Sequence, residues 1–311
     1  MPVETLKNDK SVGAKLGAAD IVLLILSILP IVVGIIIKVL FTPSADGIAI
    51  QGAMVYAEIN MPFSTVLPIT EAQVNSWLVM LSIMFFCMFL TRSMTPDGTG
   101  KRQLIAEWIV EKVDSLVSEN MGPYFSFFAP FVAAILALSA CSSLLSLVGL
   151  FAPTSDINVT AGWALMTFML ITYYKMKCGP LHYIKSFGEP VAFLAPLNVI
   201  SEAATPVSMA FRHYGNVLSG SVISVLVSYA LTNLSSKIFG ALPGFLGDIP
   251  FLKIGLPAVL SIYFDVFSGC LQAFIFAMLT MLYVSGGFPE ELYMKRREKK
   301  RQKRSEKIKN T

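Results

Sequence analysis

The chain has 311 residues, of which 55% are apolar and only 14% charged, and its mean hydropathy is +0.67. A soluble domain carries about 25% charged residues, so these figures exclude a soluble domain and indicate an all-α membrane protein. Much of the net charge of +4 collects in one stretch near the C-terminus, KRREKKRQKRSEKIKN, which reads as a tail rather than part of a core.

A helix needs roughly 20 mostly apolar residues to cover the hydrocarbon core. Six segments qualify: about 20–41, 76–91, 126–151, 158–174, 191–232 and 255–285. The first is too long for the apolar part of a secretion signal, and no clean cleavage site follows it, so it reads as a true span. The last two exceed one perpendicular crossing, which requires strong tilt or an internal break. Lys and Arg alternate between loops: Lys7, Lys10 and Lys15 precede the first span, and 42–75 has none. Arg92, Lys101, Arg102 and Lys112 follow the second span, and Lys175, Lys177 and Lys185 follow the fourth. By the positive-inside rule both termini are cytoplasmic. The expected organisation is a cytoplasmic segment 1–19, an N-terminal span 20–41 and an external loop 42–75. A helical core 76–287 and a basic cytoplasmic tail 288–311 complete it.

Between the second and third spans, Leu104, Ile105, Trp108, Ile109, Val113 and Leu116 recur at helical spacing. This fits an amphipathic helix on the membrane surface or a plain connecting helix. The four cysteines and two histidines lack metal or redox spacing, and no phosphate loop, GxSxG turn or HExxH pair occurs. No cofactor, metal or nucleic acid is expected.

Ionisable residues inside a membrane are costly and usually functional. Lys38 lies near a span end, where it can snorkel. Arg212 lies mid-span. With Ser208, Gly215, Asn216 and Ser219 it shares one helical face, and small residues there permit close approach of another helix. In the last span Asp265, Ser268, Gly269 and Gln272 share a face. Asp265 either neutralises Arg212 across the bundle or serves a separate polar path. A secondary transporter or channel for another solute, with Arg212 binding an anionic substrate, and an intramembrane hydrolase using Asp265 with a second acid or His213 compete as functions. The first lacks paired interrupted repeats, and the second lacks an evident second catalytic carboxylate.

The stretch Pro206-Val207-Ser208-Met209-Ala210-Phe211-Arg212-His213-Tyr214-Gly215-Asn216 resembles the signature of subunit a of the F-type rotary ATP synthases. Leu271-Gln272-Ala273-Phe274-Ile275-Phe276-Ala277-Met278-Leu279-Thr280 is similar to the family's last-helix motif. Pro153–Thr160 and, more weakly, Pro196–Glu202 add to it, so that residues 70–287 follow the family's order. The chain departs from the family pattern at His213, Ser221, Asn198, Ser142-Ser143 and Asp265. Span 20–41 and loop 42–75 look like an addition to the minimal core.

The resemblance implies a membrane stator, not catalytic alone, with two offset half-channels that pass H+ or Na+ to carboxylates on a rotor ring of small two-helix subunits. Its two long C-terminal helices would tilt around that ring. It further implies a stalk partner, subunit b, and a bacterial plasma membrane. Arg212 would be the essential cation facing the ring. Arginine keeps its proton inside proteins, so it attracts a bare carboxylate without relaying protons. Asn216 and Gln272 would hydrogen-bond the passing carboxylate. Asp265 would line the outer half-channel, Ser221 would hold water in it, and Asp156 and Asn158 would stand at its mouth. His213 has two open readings, channel or packing, since its side chain points about 100° from Arg212 on a helix. Glu202 and Glu189 have two open readings, lining the inner path or pairing at the interface.

Overall fold

A computed structural model describes residues 17–41, 52–61, 65–92, 94, 100–177, 179–188, 192–239, 252, 255–288, 290, 293–294, 298 and 302. Glu189, Cys178 and most of the basic tail lie outside the described residues.

Helix α1 (Ala18–Phe41) buries Asp20, Leu23, Ser27, Pro30 and Gly34, a stripe at three- and four-residue spacing. The stripe packs on α2 (Glu71–Thr91). Gly34 permits that approach, since a Cβ there would stand 3.0 Å from Leu78 and 3.3 Å from Leu150. Ion pairs pin both ends of α1. Asp20 meets Arg102 at 3.0 Å and Arg92 at 3.9 Å, and Lys38 meets Glu71 at 3.3 Å. Lys38 therefore does more than snorkel.

Strands β1 (Val55–Met61) and β2 (Thr65–Thr70) form an antiparallel pair in register from Ala57↔Ile69 to Met61↔Thr65, with a shift of register between Val55, which faces Thr70, and Ala57. β2 runs directly into α2 through a capping box. Thr70 Oγ1 accepts from Gln73 N at 3.4 Å, and Gln73 Oε1 accepts from Thr70 N at 3.2 Å, which satisfies two otherwise orphaned donors. The second span thus begins at Glu71, and the stretch before it carries strand structure that its sequence did not announce.

Helix α3 (Lys101–Met121) presents Leu104, Ile105 and Trp108 outward, while Val117 and Met121 join the core. A short 3-10 turn at Pro123–Phe128 leads into α4 (Ala129–Leu144). Gly149, at φ 77°, ends that span, donating back to Ser146 O at 3.0 Å in a conformation glycine tolerates best. Helix α5 (Ile157–Met176) and the short α6 (Pro180–Ser186) follow.

Helix α7 (Ala195–Phe239) is continuous for 45 residues even though Pro206 removes one internal hydrogen bond. At 1.5 Å per residue it is about 68 Å long, more than twice a bilayer core. The last segment resolves its excess length differently. α8 (Leu256–Ser261) passes through a π-helical stretch, Ile262–Ser268, into α9 (Gly269–Gly286).

Among the described residues, five helices are long and apolar enough to cross a membrane by composition: 18–41, 71–91, 123–148, 195–238 and 259–286. The remaining expected span, the fourth in chain order, is α5, 20 residues long and about 30 Å of helix, but polar residues dilute its apolarity. Two of them, Thr160 and Thr167, are fully buried against the bundle. The core gathers Phe125, Phe128, Val132 and Ile135 with Ile171, Met209, Phe276 and Met281. Apolar side chains in lipid gain little by leaving it, so close packing rather than solvent exclusion holds these helices together.

Lys177, which caps α5, stands 5.0–5.9 Å from the rings of Tyr124, Tyr173, Tyr174, Phe288 and Tyr293. Its ammonium reaches the Tyr124 hydroxyl at 3.1 Å. This cation–π cluster ties the end of α9 to the α3–α4 junction.

Candidate functional site: a cation between two polar cavities

Two faces of α7 separate Arg212 from its neighbour. Met209, Ala210, His213 and Gly220 are buried, whereas Ser208, Arg212 and Ser219 are exposed. A Cβ on Gly215 would meet nothing within 4 Å, so the outward face is open as well as small and polar. Among the described residues there are four ion pairs, and Arg212 takes part in none. Its charge is presented out of the bundle.

His213 points the other way and is fully buried. Its ring lies edge-on to Trp163 at 6.0 Å and Phe276 at 5.8 Å, with Nε2 3.3 Å from Ser139 Oγ. It lines neither polar cavity described below.

Asn216 is engaged by the last helix. Ser268 Oγ donates to its Oδ1 at 2.8 Å, and its Nδ2 lies 3.4 Å from the Ser268 carbonyl. This clasp holds α7 and the π-helical stretch in register one turn from Arg212. Gly220 allows the same contact further along, since a Cβ there would sit 2.9 Å from Phe264 Cβ. Gln272 is buried on the α9 face that also carries Phe276.

One cavity, about 570 Å³, opens beside the C-terminal half of α7 and is lined by Asp265, Tyr214, Ser221, Ser146, Asp156 and Asn158, among others. Asp265 shares that lining with Ser146, whose own hydroxyl donates to Ser143 O at 2.8 Å. Asp265 thus faces the cavity, and the described contacts do not include the internal Arg212 pair that the sequence allowed. Ser221 lines the cavity while its hydroxyl donates to Leu218 O at 2.8 Å. Asp156 caps α5, accepting from Asn158 N at 2.9 Å and Nδ2 at 3.1 Å.

The second cavity, about 390 Å³, lies at the opposite end of α5 and includes Lys175, Asn198, Ser201, Glu202 and Thr205. Glu202 accepts from Lys175 Nζ at 2.8 Å and from the Tyr183 hydroxyl at 3.0 Å. Burial and the Glu202 carboxylate raise the Tyr183 phenol above its ordinary pKa, so it stays a donor. Asn198 donates to Phe187 O at 2.8 Å. Sequence reasoning missed Lys175 and Tyr183 as partners of Glu202, since they lie 27 and 19 residues from it and outside any shared periodicity.

Along α7, Thr205 of one cavity and Tyr214 of the other bracket Arg212. A polytopic helical bundle with an outward intramembrane cation between two offset polar cavities defines an ion-translocating membrane subunit. Residues 73–285 match the family model "ATP synthase A chain", and the chain belongs to that family as a multi-pass membrane protein. It is 32% identical to ATP synthase subunit a of Desulforamulus reducens over 218 residues, 69% of this chain and 78% of the relative. It is 28% identical to ATP synthase subunit a of Legionella pneumophila strain Paris over 223 residues, 71% of this chain and 87% of the relative. Membership assigns the role of a stator subunit in ion translocation, and neither the anion transporter nor the intramembrane hydrolase is favoured.

Proposed function

We propose that the two cavities are the half-channels of this stator and that Arg212 is the fixed cation separating them. The observation that carries this reading is the open Ser208–Arg212–Gly215–Ser219 face, which displays a charge where lipid would otherwise lie. A passing ring carboxylate that has lost its ion is stabilised beside the guanidinium and destabilised elsewhere in the bilayer. Ions then cross only by entering through one cavity, riding the ring, and leaving through the other. Each charge moved gains about 2.3 kcal/mol per 100 mV, which the ring converts to rotation. In this reading the Asp265 cavity is the outer half-channel for H+ or Na+, with Asp156 and Asn158 at its mouth. The Glu202 cavity is the inner one. Asn216 and Gln272 support the α7–α9 surface on which the carboxylate moves. The chain would sit in a bacterial plasma membrane with cytoplasmic termini, against a ring of two-helix subunits and the stalk subunit b.

The test is Arg212→Ala in membrane vesicles carrying the whole complex. Ion-driven ATP synthesis should disappear while ATP hydrolysis by the soluble head persists. Wild-type coupling would refute the reading.

A further inference from the structure

The strand pair lies outside the matched stretch 73–285, yet its base reaches the ion path. Gly52, Ala53 and Thr70 line the same cavity as Asp265 and Ser221. Alongside it runs a second hollow of about 470 Å³, lined by Leu67, Pro68, Thr70 and Gln73 on one side and by Asp156, Asn158, Val159 and Trp163 on the other. Thr70, Asp156 and Asn158 belong to both. The base is held firmly. Glu71 N donates to Met54 O at 2.7 Å, Asn75 Nδ2 donates to Phe151 O at 2.8 Å, and Lys38 of α1 pairs with the buried Glu71.

From this juxtaposition we propose that Gly52, Ala53 and Thr70 form one wall of the entrance to the outer half-channel, so that a cation reaches Asp265 between Ala53 and Thr70 on one side and Asp156 and Asn158 on the other. The proposal rests on the half-channel reading above and adds a segment to it. The described wall residues Gly52, Ala53 and Thr70 carry no acid or base, while the Asp156 carboxylate opposite favours cations. A fixed positive charge at Ala53 would therefore oppose passage with the energy of a unit charge a few ångströms from the path.

The test uses the whole complex in intact cells. The Ala53→Cys and Gly52→Cys variants are treated from outside with a membrane-impermeant, cationic methanethiosulfonate reagent, and inverted vesicles are then prepared. A Cβ at Gly52 would meet nothing within 4 Å, so its substitution leaves the fold undisturbed. Labelling should reduce ATP-driven ion uptake on the order of tenfold, as expected for a unit charge beside a partly wet path, and dithiothreitol should reverse it. Glu58→Cys, exposed on β1 and part of neither hollow's lining, should label without loss, and the unsubstituted chain should pump fully after the same treatment. Full pumping by labelled Ala53→Cys and Gly52→Cys complexes would overturn the proposal. Equal inhibition through Glu58→Cys, or failure of both cavity cysteines to label from outside, would overturn it as well. These outcomes are distinct from failure of the half-channel reading, which would appear as coupled activity in Arg212→Ala.

Discussion

Arg212 and His213 are adjacent in sequence and serve opposite sides of one helix. The 100° step between neighbours sends the guanidinium out of the bundle and the imidazole into it, between Trp163 and Phe276. Because His213 lines neither cavity, its contribution follows from volume and from the contact with Ser139. His213→Leu should retain ATP-driven pumping, whereas His213→Ala should leave a cavity and cost about 2–4 kcal/mol of stability by analogy with large-to-small core changes. Thermal melting of the detergent-solubilised complex, read beside vesicle pumping, checks both. Loss of pumping in a stable His213→Leu complex would give the imidazole a part in ion transfer. The same pair marks how much of the site the sequence disclosed. Arg212 was legible because a permanent charge in a long apolar run has no cheap structural explanation. The placement of Asp265 at the cavity with Tyr214 and Ser221 was not, because it depends on how the π-helical stretch packs against its neighbours.

At the scale of elements, the α7–α9 surface depends on two short-range devices: the Asn216–Ser268 clasp and the absence of a side chain at Gly220. Gly220→Val would drive its Cβ to 2.9 Å from Phe264. Overpacking of this kind costs about 1–3 kcal/mol. Melting temperature should fall in Gly220→Val and recover in part when Phe264→Ala is added. Gly215→Ala should leave the subunit's stability unchanged or slightly raised, since open space surrounds it. An unchanged Gly220→Val melt would show that the contact is not tight. The long apolar runs announced these helices plainly, because continuous hydropathy is a local property. The π-helical stretch Ile262–Ser268 carries no local signal, and its shift of register arises from packing against α4 and α7. β1 and β2 were equally silent. They are short, join without a two-residue turn motif, and include Pro68, which ordinarily argues against a strand. The Asp20–Arg102 pair joins residues 82 positions apart, a separation no periodicity reports.

For the whole molecule, the decisive feature is a surface rather than a residue. Most exposed side chains of the helices are large and apolar, as lipid requires, including Val207, Phe211, Ile223 and Leu226 on α7 itself. Interleaved with them, Ser208, Arg212, Gly215 and Ser219 form a line of small or charged positions over about 16 Å of helix. Lipid tails gain nothing from such a line and leave the guanidinium unpaired, whereas a second helix carrying a carboxylate satisfies both. If this line is the track of a rotor, cysteines placed along it should form disulfides with a cysteine introduced one turn from the carboxylate of the ring helix. Ser208→Cys and Ser219→Cys should cross-link on mild oxidation. Met209→Cys, adjacent in sequence but only 3% exposed, should not. Cross-linking at Met209 as efficient as at Ser208, or none at either serine, would place the ring on another face of α7. Reduction should restore pumping in the cross-linked complexes, because it breaks only the bond between the two helices.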